Sequence, residues 1–258
     1  MNIFNKKTNY LHSQKKLSKT LKKYTVFSIL IIMIIYSTFK FIENSKTSYL
    51  GVSPTSFEED TFTICIDAGH GDWDLGASGD FTDEKDITLD VSLKLGALLD
   101  KSDNINVVYT RTNDIISAST ATESLYERVE FSNNENTDLF ISIHCNSYPD
   151  DISVDGIETW YDPTDDNSRY YASLIQEELV DLNFTSDRGI LTYEENDGLY
   201  VIENTNATAV LVELGFITNP YDEEFLASSS GKKQCAKALY NATITYISSL
   251  EEQESKSS

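Results

Sequence analysis

The sequence predicts an α/β fold: a single domain built on a mostly parallel twisted sheet flanked by helices, placed after an N-terminal membrane anchor. Three observations carry that prediction. Downstream of residue 60, apolar runs of strand length alternate with segments of helical periodicity, the order that builds βαβ units. Two of those runs stop at a histidine, in Cys65-Ile66-Asp67-Ala68-Gly69-His70-Gly71 and Ser142-Ile143-His144-Cys145-Asn146. A third carries an acid, in Val210-Leu211-Val212-Glu213-Leu214-Gly215-Phe216. In an open α/β sheet, ligands gather at the carboxyl ends of the strands. At 258 residues and 40% hydrophobic content, the chain can build one substantial domain and an appendage.

The appendage comes first. Residues 1–23 are polar and basic, with Lys6, Lys7, Lys15, Lys16, Lys19, Lys22 and Lys23. Residues 24–42 follow as an apolar run, uncharged from Tyr24 to Phe39, then Lys40, Phe41 and Ile42. With Lys40 snorkelling, this approaches the roughly 20 residues that span a bilayer. The positive flank stays in the cytoplasm, and the rest of the chain crosses the membrane. No small-residue A-x-A pattern follows, which favours an uncleaved signal anchor over a removed signal peptide. The expected product is a single-pass protein of the cell membrane with its domain outside the cytoplasm. Residues 43–60, with Ser, Thr, Gly51 and Pro54 and no periodicity, read as a linker.

The domain is expected over residues 61–250. Phe62 to Ile66 is a strand because it is a short apolar run closed by Gly69 and Gly71. Ile87, Val91, Leu95 and Leu98 or Leu99 share one face of a helix over Ile87 to Leu99. Ile105 to Tyr109 is a strand, and Leu125, Val129 and Phe131 mark the next helix. Strands over Leu139 to His144 and Gly156 to Tyr161 lead to a helix from Ser168 to Leu182. Ala209 to Leu214 is a buried strand, and Gly231 to Ile247 forms a closing helix. The polar tail, residues 251–258, is expected to be disordered.

Charge and cysteine usage narrow the function classes. The formal net charge is −22, but the first 50 residues hold nine Lys and one acid. That leaves 11 basic against 41 acidic residues downstream, a net of −30. Nucleic acid is excluded as a partner, since phosphate binding needs a basic surface. Cys65, Cys145 and Cys235 are odd in number and lack C-x-x-C spacing, so they form neither a disulfide framework nor a zinc ribbon. Cys65 and Cys145 sit in apolar runs, where a thiol packs as a small hydrophobe.

The remaining chemistry converges on four residues. Besides His12 in the basic flank, His70 and His144 are the only histidines, and both end strands of the same sheet. Imidazole is a favoured zinc ligand, and a hydrolytic zinc site takes three protein ligands and keeps a position for water. Glu84, just before the helix that follows the first strand, returns a carboxylate to the same edge. Its alternative role is an ordinary acid at a helix amino terminus, favoured by the dipole. Glu213, in an apolar strand, is costly to bury unless paired or employed. Employed, it would take a proton from water and give it to a leaving amine. Paired, it would face Arg128 or Arg188.

At these residues the sequence resembles the zinc-dependent N-acetylmuramoyl-L-alanine amidases of the bacterial cell wall, over about Thr61 to Ile247. Asp67-Ala68-Gly69-His70-Gly71 is similar to the family's first zinc histidine segment, and Glu84-Lys85-Asp86 to that of the zinc glutamate. Ser142-Ile143-His144-Cys145-Asn146 matches the second zinc histidine, though the family more often has a small residue at Cys145. Glu213-Leu214-Gly215-Phe216-Ile217-Thr218-Asn219 resembles the segment of the catalytic glutamate. The resemblance implies one Zn²⁺ on His70, Glu84 and His144, Glu213 as the catalytic acid-base, and peptidoglycan as substrate. The bond cut would join the lactyl group of muramic acid to L-alanine. Asp187-Arg188-Gly189 and Leu199-Tyr200-Val201-Ile202 resemble the peptide side of the groove. Arg128 and Gly156-Ile157-Glu158-Thr159 fit as scaffold, and Asp67, Ser142 and Asn146 as groups that orient the ligands.

One departure matters. Some members carry a helical insertion that plugs the metal site, and here only Asp162 to Asn167 separates the strand at Gly156 to Tyr161 from the next helix. Control then rests on location, metal occupancy or a protein activator. Short anchored members include enzymes of the spore cortex, and the motifs fit that duty and vegetative wall turnover equally. A zinc peptidase cutting within the stem peptide and a non-catalytic, membrane-anchored peptidoglycan-binding protein are the alternatives.

Overall fold

The computed structural model describes residues 61–193 and 199–257. The basic flank 1–23, the anchor 24–42 and the linker 43–60 expected from sequence lie outside the described residues. Among the described residues, no helix is long and apolar enough to cross a membrane.

The described strands are β1 (Phe62–Ala68), β2 (Ile105–Tyr109), β3 (Leu139–Asn146), β4 (Ile157–Tyr161), β5 (Asp187–Leu191) and β6 (Thr208–Phe216). They form one sheet in the order β2-β1-β3-β6-β4-β5. The helices are α1 (Glu84–Leu99), α2 (Ala121–Asn134), α3 (Asp166–Val180), α4 (Tyr200–Glu203), α5 (Pro220–Ala227) and α6 (Ser229–Ser257). Strands β2, β1, β3 and β6 are parallel neighbours, and β5 is parallel to β4. The sheet is nevertheless mixed, because β4 runs antiparallel to β6. The cause is the connection after β3. A parallel return needs a crossover of a dozen or more residues, usually a helix. Residues 147–156 contain no helix, so the chain re-enters the sheet from the edge it left and runs the other way.

Alternation with period two sorts the strands onto two faces. Ile64 and Ile66, Leu139, Ile141 and Ile143, and Val210, Val212 and Leu214 pack with α1, α3 and α6. Cys65, Phe140, Ala209 and Leu211 face the other way, onto Val129 of α2 and Val201 and Ile202 of α4. Each fully buried aliphatic side chain contributes about 1.5–3 kcal/mol, so the first face supplies most of the cohesion. The second face has only a thin helical cover. There the same alternation carries Asp67, Ser142, His144 and Glu213 to the carboxyl ends of β1, β3 and β6.

Three elements were not anticipated. Strand β5 is a partly exposed edge holding Arg188 and Gly189, α4 is a single turn, and α5 starts at Pro220 behind an asparagine cap. Helix α6 continues to Ser257, into the tail expected to be disordered, while Ser258 lies outside the described residues. No Gly or Pro interrupts Glu251 to Ser257, and Glu, Gln and Lys keep good helix propensity. All three cysteines are buried and free. Burial pushes the Cys235 thiol up to about 12 and those of Cys65 and Cys145 also well above their usual value, as packing thiols require.

The α1–β2 contact decides the sign of one substitution. Replacing a helical glycine by alanine gains roughly 1 kcal/mol of propensity. At Gly96 in α1, the added Cβ would fall 1.6 Å from the Tyr109 hydroxyl of β2. Gly96→Ala is therefore expected to lower the urea midpoint. A raised midpoint would show that the Tyr109 ring swings aside without cost.

Candidate metal centre and active site

Strand β1 ends at Ala68, and the Gly69 amide still donates to the Ile143 carbonyl of β3 at 3.0 Å. The chain then turns through His70, at φ 60°, a left-handed conformation rare outside glycine. The turn aims the His70 imidazole over the end of the sheet. His144 stands at the end of β3, and its ring lies edge-on to that of His70, centroids 4.9 Å apart. Gly69 passes directly beneath it: a Cβ there would lie 2.4 Å from His144 Cε1.

Glu84 opens α1 and reaches over the same edge. Its Oε1 lies 3.2 Å from His70 Nε2 and 2.9 Å from His144 Nδ1, and accepts from the Cys145 amide at 2.9 Å. Its Oε2 accepts from the Ala77 amide at 2.8 Å. Burial alone would raise the Glu84 carboxyl, but the hydrogen bonds and charges of His144 and His70 outweigh it and hold the pKa well below the carboxylate range. Burial likewise opposes charge on His70, yet Glu84 and Asp74 raise its pKa overall. The helix-terminal role open to Glu84 in the sequence is thus joined to a second one, between the imidazoles.

Two imidazole nitrogens and a carboxylate oxygen, all within 4.8 Å of one another, form a donor set that could hold a metal ion. The surroundings fit one. A Cβ at Gly76 would lie 2.5 Å from Glu84 Oε2 and 2.7 Å from His70 Cδ2, so the cradle is closed to any larger residue. The His70 ring is oriented by Asp74, whose Oδ2 pairs with Nδ1 at 2.9 Å and leaves Nε2 facing the set. Sequence reasoning missed Asp74. Its only signal was a carboxylate four residues beyond the histidine.

The residues expected to orient the ligands do other work. Asp67 and Ser142 touch no ligand side chain: Asp67 accepts from Ser142 and Thr110 at 2.6 Å each and pairs with Arg128 at 2.5 Å. Asn146 turns away from the metal set and donates to Glu158 Oε1 at 2.7 Å.

Glu213 is the register partner of His144 on one side and of Glu158 on the other, so the three residues form a row across β3, β6 and β4. Neither arginine that offered pairing reaches it. Arg128 is taken by Asp67, and Arg188 Nε donates to Glu158 Oε2 at 2.7 Å. Glu213 Oε2 is buried and has no hydrogen-bond partner among the described residues. Burial, then the charges of Glu84 and Glu158, push the Glu213 carboxyl well above its ordinary range. Leaving a buried acceptor unsatisfied costs about 1–3 kcal/mol, which marks an atom kept for another use.

Helix α5 ties these parts together. Asp222 Oδ2 accepts from the Phe216 amide at the end of β6 and the Gly156 amide before β4. Glu223 Oε1 accepts from the Phe81 and Thr82 amides, just ahead of Glu84. A cavity of about 180 Å³ lies beside the two imidazoles of the set, bounded by His70, Asp74, His144, Arg128, Leu125 and Val201. Leu125 also lines a neighbouring cavity of about 480 Å³ with Tyr126 and Tyr200.

Comparison with known proteins places this arrangement. The sequence profile described as N-acetylmuramoyl-L-alanine amidase matches residues 64–245. The N-acetylmuramoyl-L-alanine amidase LytC of Bacillus subtilis (strain 168) is 38% identical over 186 residues, covering 71% of this chain and 35% of LytC. The chain thus spans about a third of that relative's length. The crystal structure of N-acetylmuramoyl-L-alanine amidase from Clostridium difficile 630 superimposes with a TM-score of 0.67 at 30% identity, over 74% of this chain and 98% of that one. The CwlD amidase of Clostridioides difficile, solved in complex with the GerS lipoprotein, gives 0.66 at 30% identity, over 72% and 98%.

The geometry yields two expectations. Gly69→Ala should displace the His144 ring and abolish metal binding, measured by chelator competition, with the circular dichroism spectrum retained; wild-type affinity would sink that account. The second concerns Asp67, whose carboxyl, though burial opposes it, is held below its usual range by Arg128, Ser142 and Thr110. Its contribution to stability is complete above the unfolded carboxyl pKa of about 3.9 and is lost as pH falls through the lower folded value. Asp67→Asn should flatten this acid limb in urea titrations and cost about 3–5 kcal/mol at neutral pH, because Arg128 is left buried and unpaired. An unchanged pH slope would contradict it.

Proposed function

The chain belongs to the N-acetylmuramoyl-L-alanine amidase family, and we propose that it is a zinc amidohydrolase of bacterial peptidoglycan. The bond it cuts joins the lactyl group of N-acetylmuramic acid to L-alanine. The observation that carries this reading is Glu213 Oε2, without a hydrogen-bond partner among the described residues and in register with His144 of the His70, Glu84 and His144 donor set.

His70, Glu84 and His144 would hold one zinc ion, which supplies Lewis acidity towards the amide carbonyl and makes water more acidic. Glu213 Oε2 takes a proton from the attacking water and returns it to the departing amine of L-alanine. A raised carboxyl pKa suits a group that must hold this proton between the two steps. Glu158 is unsuited to the task, since Asn146 and Arg188 already occupy its oxygens. Asp74 keeps His70 Nε2 directed at the set. The neighbouring cavities sharing Leu125 give an extended substrate room to either side of the scissile bond.

Control, in this reading, is external. Strand β4 ends at Tyr161 and α3 begins at Asp166, which leaves no room there for a plugging helix. We favour a protein activator, in view of the CwlD complex with a lipoprotein. The apolar run 24–42 would hold the chain in the cell membrane with its domain facing the wall, and the net charge of −30 on residues 51–258 keeps nucleic acid away.

The test is mass spectrometry of peptidoglycan incubated with the full chain in detergent and added zinc. Free stem peptides beginning at L-alanine, beside intact glycan strands, are expected. Cuts within the peptide would make the protein a peptidase, and tight binding without product a binding protein. Glu213→Ala should abolish turnover but keep zinc, whereas His70→Ala should lose both. Near-normal turnover by Glu213→Ala would overturn its role.

A further inference from the structure

The turn that carries His70 is held from below by two buried arginines. At the end of β1 the ladder of the sheet stops, yet the backbone continues through His70 at φ 60°, Gly71 at 136° and Asp72 at 52°. Residues other than glycine adopt such angles only when the surroundings over-determine them. The carbonyl oxygens of Ala68, Gly69 and His70 all accept from a guanidinium. Ala68 O accepts from Arg111 Nε at 3.0 Å and Arg128 Nη1 at 2.7 Å. Gly69 O accepts from Arg111 Nη2 at 2.8 Å and from Thr88 Oγ1 at 2.8 Å. His70 O accepts from Arg128 Nη2 at 2.7 Å.

Arg111 also reaches the second ligand element. Its Nη2 donates to the Lys85 carbonyl at 2.8 Å, one residue beyond Glu84. One guanidinium therefore joins the His70 turn to the first turn of α1. Arg128 is itself fixed, by Asp67 and by Ser124 Oγ at 3.2 Å. The two side chains are 5% and 7% exposed, and among the described residues their carboxylate pairing is that of Arg128 with Asp67. Burial and the neighbouring Arg128 charge lower the Arg111 guanidinium to about 10, so it remains charged at neutral pH. Two buried guanidinium groups, of which Arg128 pairs with Asp67 and Arg111 is held by carbonyls and Thr88, are a costly way to build a core. Lysine, a point charge on a flexible stem, could not hold two successive carbonyls at once as the planar fork does.

We propose that Arg111 and Arg128 are positioning residues that set the affinity of the His70, Glu84 and His144 site for its metal, by locking the His70 turn and the start of α1 in the ligating arrangement before the ion arrives. The inference rests on the reading of that site as a zinc site. If the wild-type full chain binds no zinc, that reading fails. If it binds zinc and the variants bind as well as wild type, the proposal alone fails.

The experiment uses the full chain in detergent, with Arg111→Lys and Arg128→Lys as charge-keeping variants. Zinc dissociation constants are measured by competition with a chromophoric chelator, and the visible spectrum of the Co²⁺-substituted protein reports ligand geometry. Loss of an outer partner typically weakens metal binding by about 10- to 100-fold. Each variant is expected to show a loss in that range and a shifted Co²⁺ spectrum. A merely structural role would lower the urea midpoint but leave zinc affinity and the Co²⁺ spectrum of the folded fraction unchanged, and that result would overturn the proposal. Should a variant not fold, hydrogen exchange on the wild-type protein decides. The Gly71 and Asp74 amides, which bond across the turn to Asp74 O and Gly71 O, are expected to be protected already without zinc. Protection that appears only on adding zinc would overturn it.

Discussion

One oxygen atom, Glu84 Oε1, brings three different elements of this protein together. His70 Nε2 comes to it from the turn after β1, His144 Nδ1 and the Cys145 amide from the end of β3, and the carboxylate itself from the first residue of α1. Each partner is polar and mostly shielded from water, so none is cheap to leave alone. The cluster is stable only when all of them arrive together. Much of the surrounding structure enforces that arrival: glycines at 69 and 76 where side chains would collide, Asp74 behind His70, and Glu223 fastening the loop ahead of α1.

How far the fold could be read from the sequence follows from the range of the forces involved. Local periodicity located the strands and long helices, because alternation and helical spacing record which side of an element is buried. His70, His144 and Glu213 were legible for the same reason: each is a polar residue that interrupts an apolar run at a strand end. Glu84 was found by its place in the chain and acquired its partners only in three dimensions. What escaped were features set by distant contacts. Asp74, Arg111 and Glu223 look like surface residues in a chain with 42 acids, and only the folded contacts show that they are anchored. The antiparallel sense of β4 depends on a short connection having no helix, which periodicity does not report. The extension of α6 to Ser257 reflects propensity without burial, where patterns of apolar residues are silent.

The distribution of charge divides the protein into two regimes. Its outside is strongly acidic, while its interior keeps two guanidinium groups beneath the donor set and a row of carboxylates along the sheet end. The glutamates of that row and Glu84 of α1 differ in their burial, neighbouring charges and hydrogen bonds. Glu158 is saturated by Asn146 and Arg188, Glu84 by two histidines and two amides, and Glu213 keeps a bare oxygen between them. Two residues of one chemical kind, Glu84 and Glu213, are thereby pushed in opposite directions, the first below and the second above the ordinary carboxylate range.

The strand order β2-β1-β3-β6-β4-β5 has a consequence for when the protein becomes competent. The last strand in the chain occupies an interior position, and it must insert between β3 and β4 before Glu213 lies beside His144. Contacts of such long sequence separation form slowly, because a large loop must close first. Until residues 208–216 are in place, the register that sets Glu213 beside His144 has no second strand to form on. Competence at this edge of the sheet therefore waits on one late segment of the chain, whatever controls the finished protein.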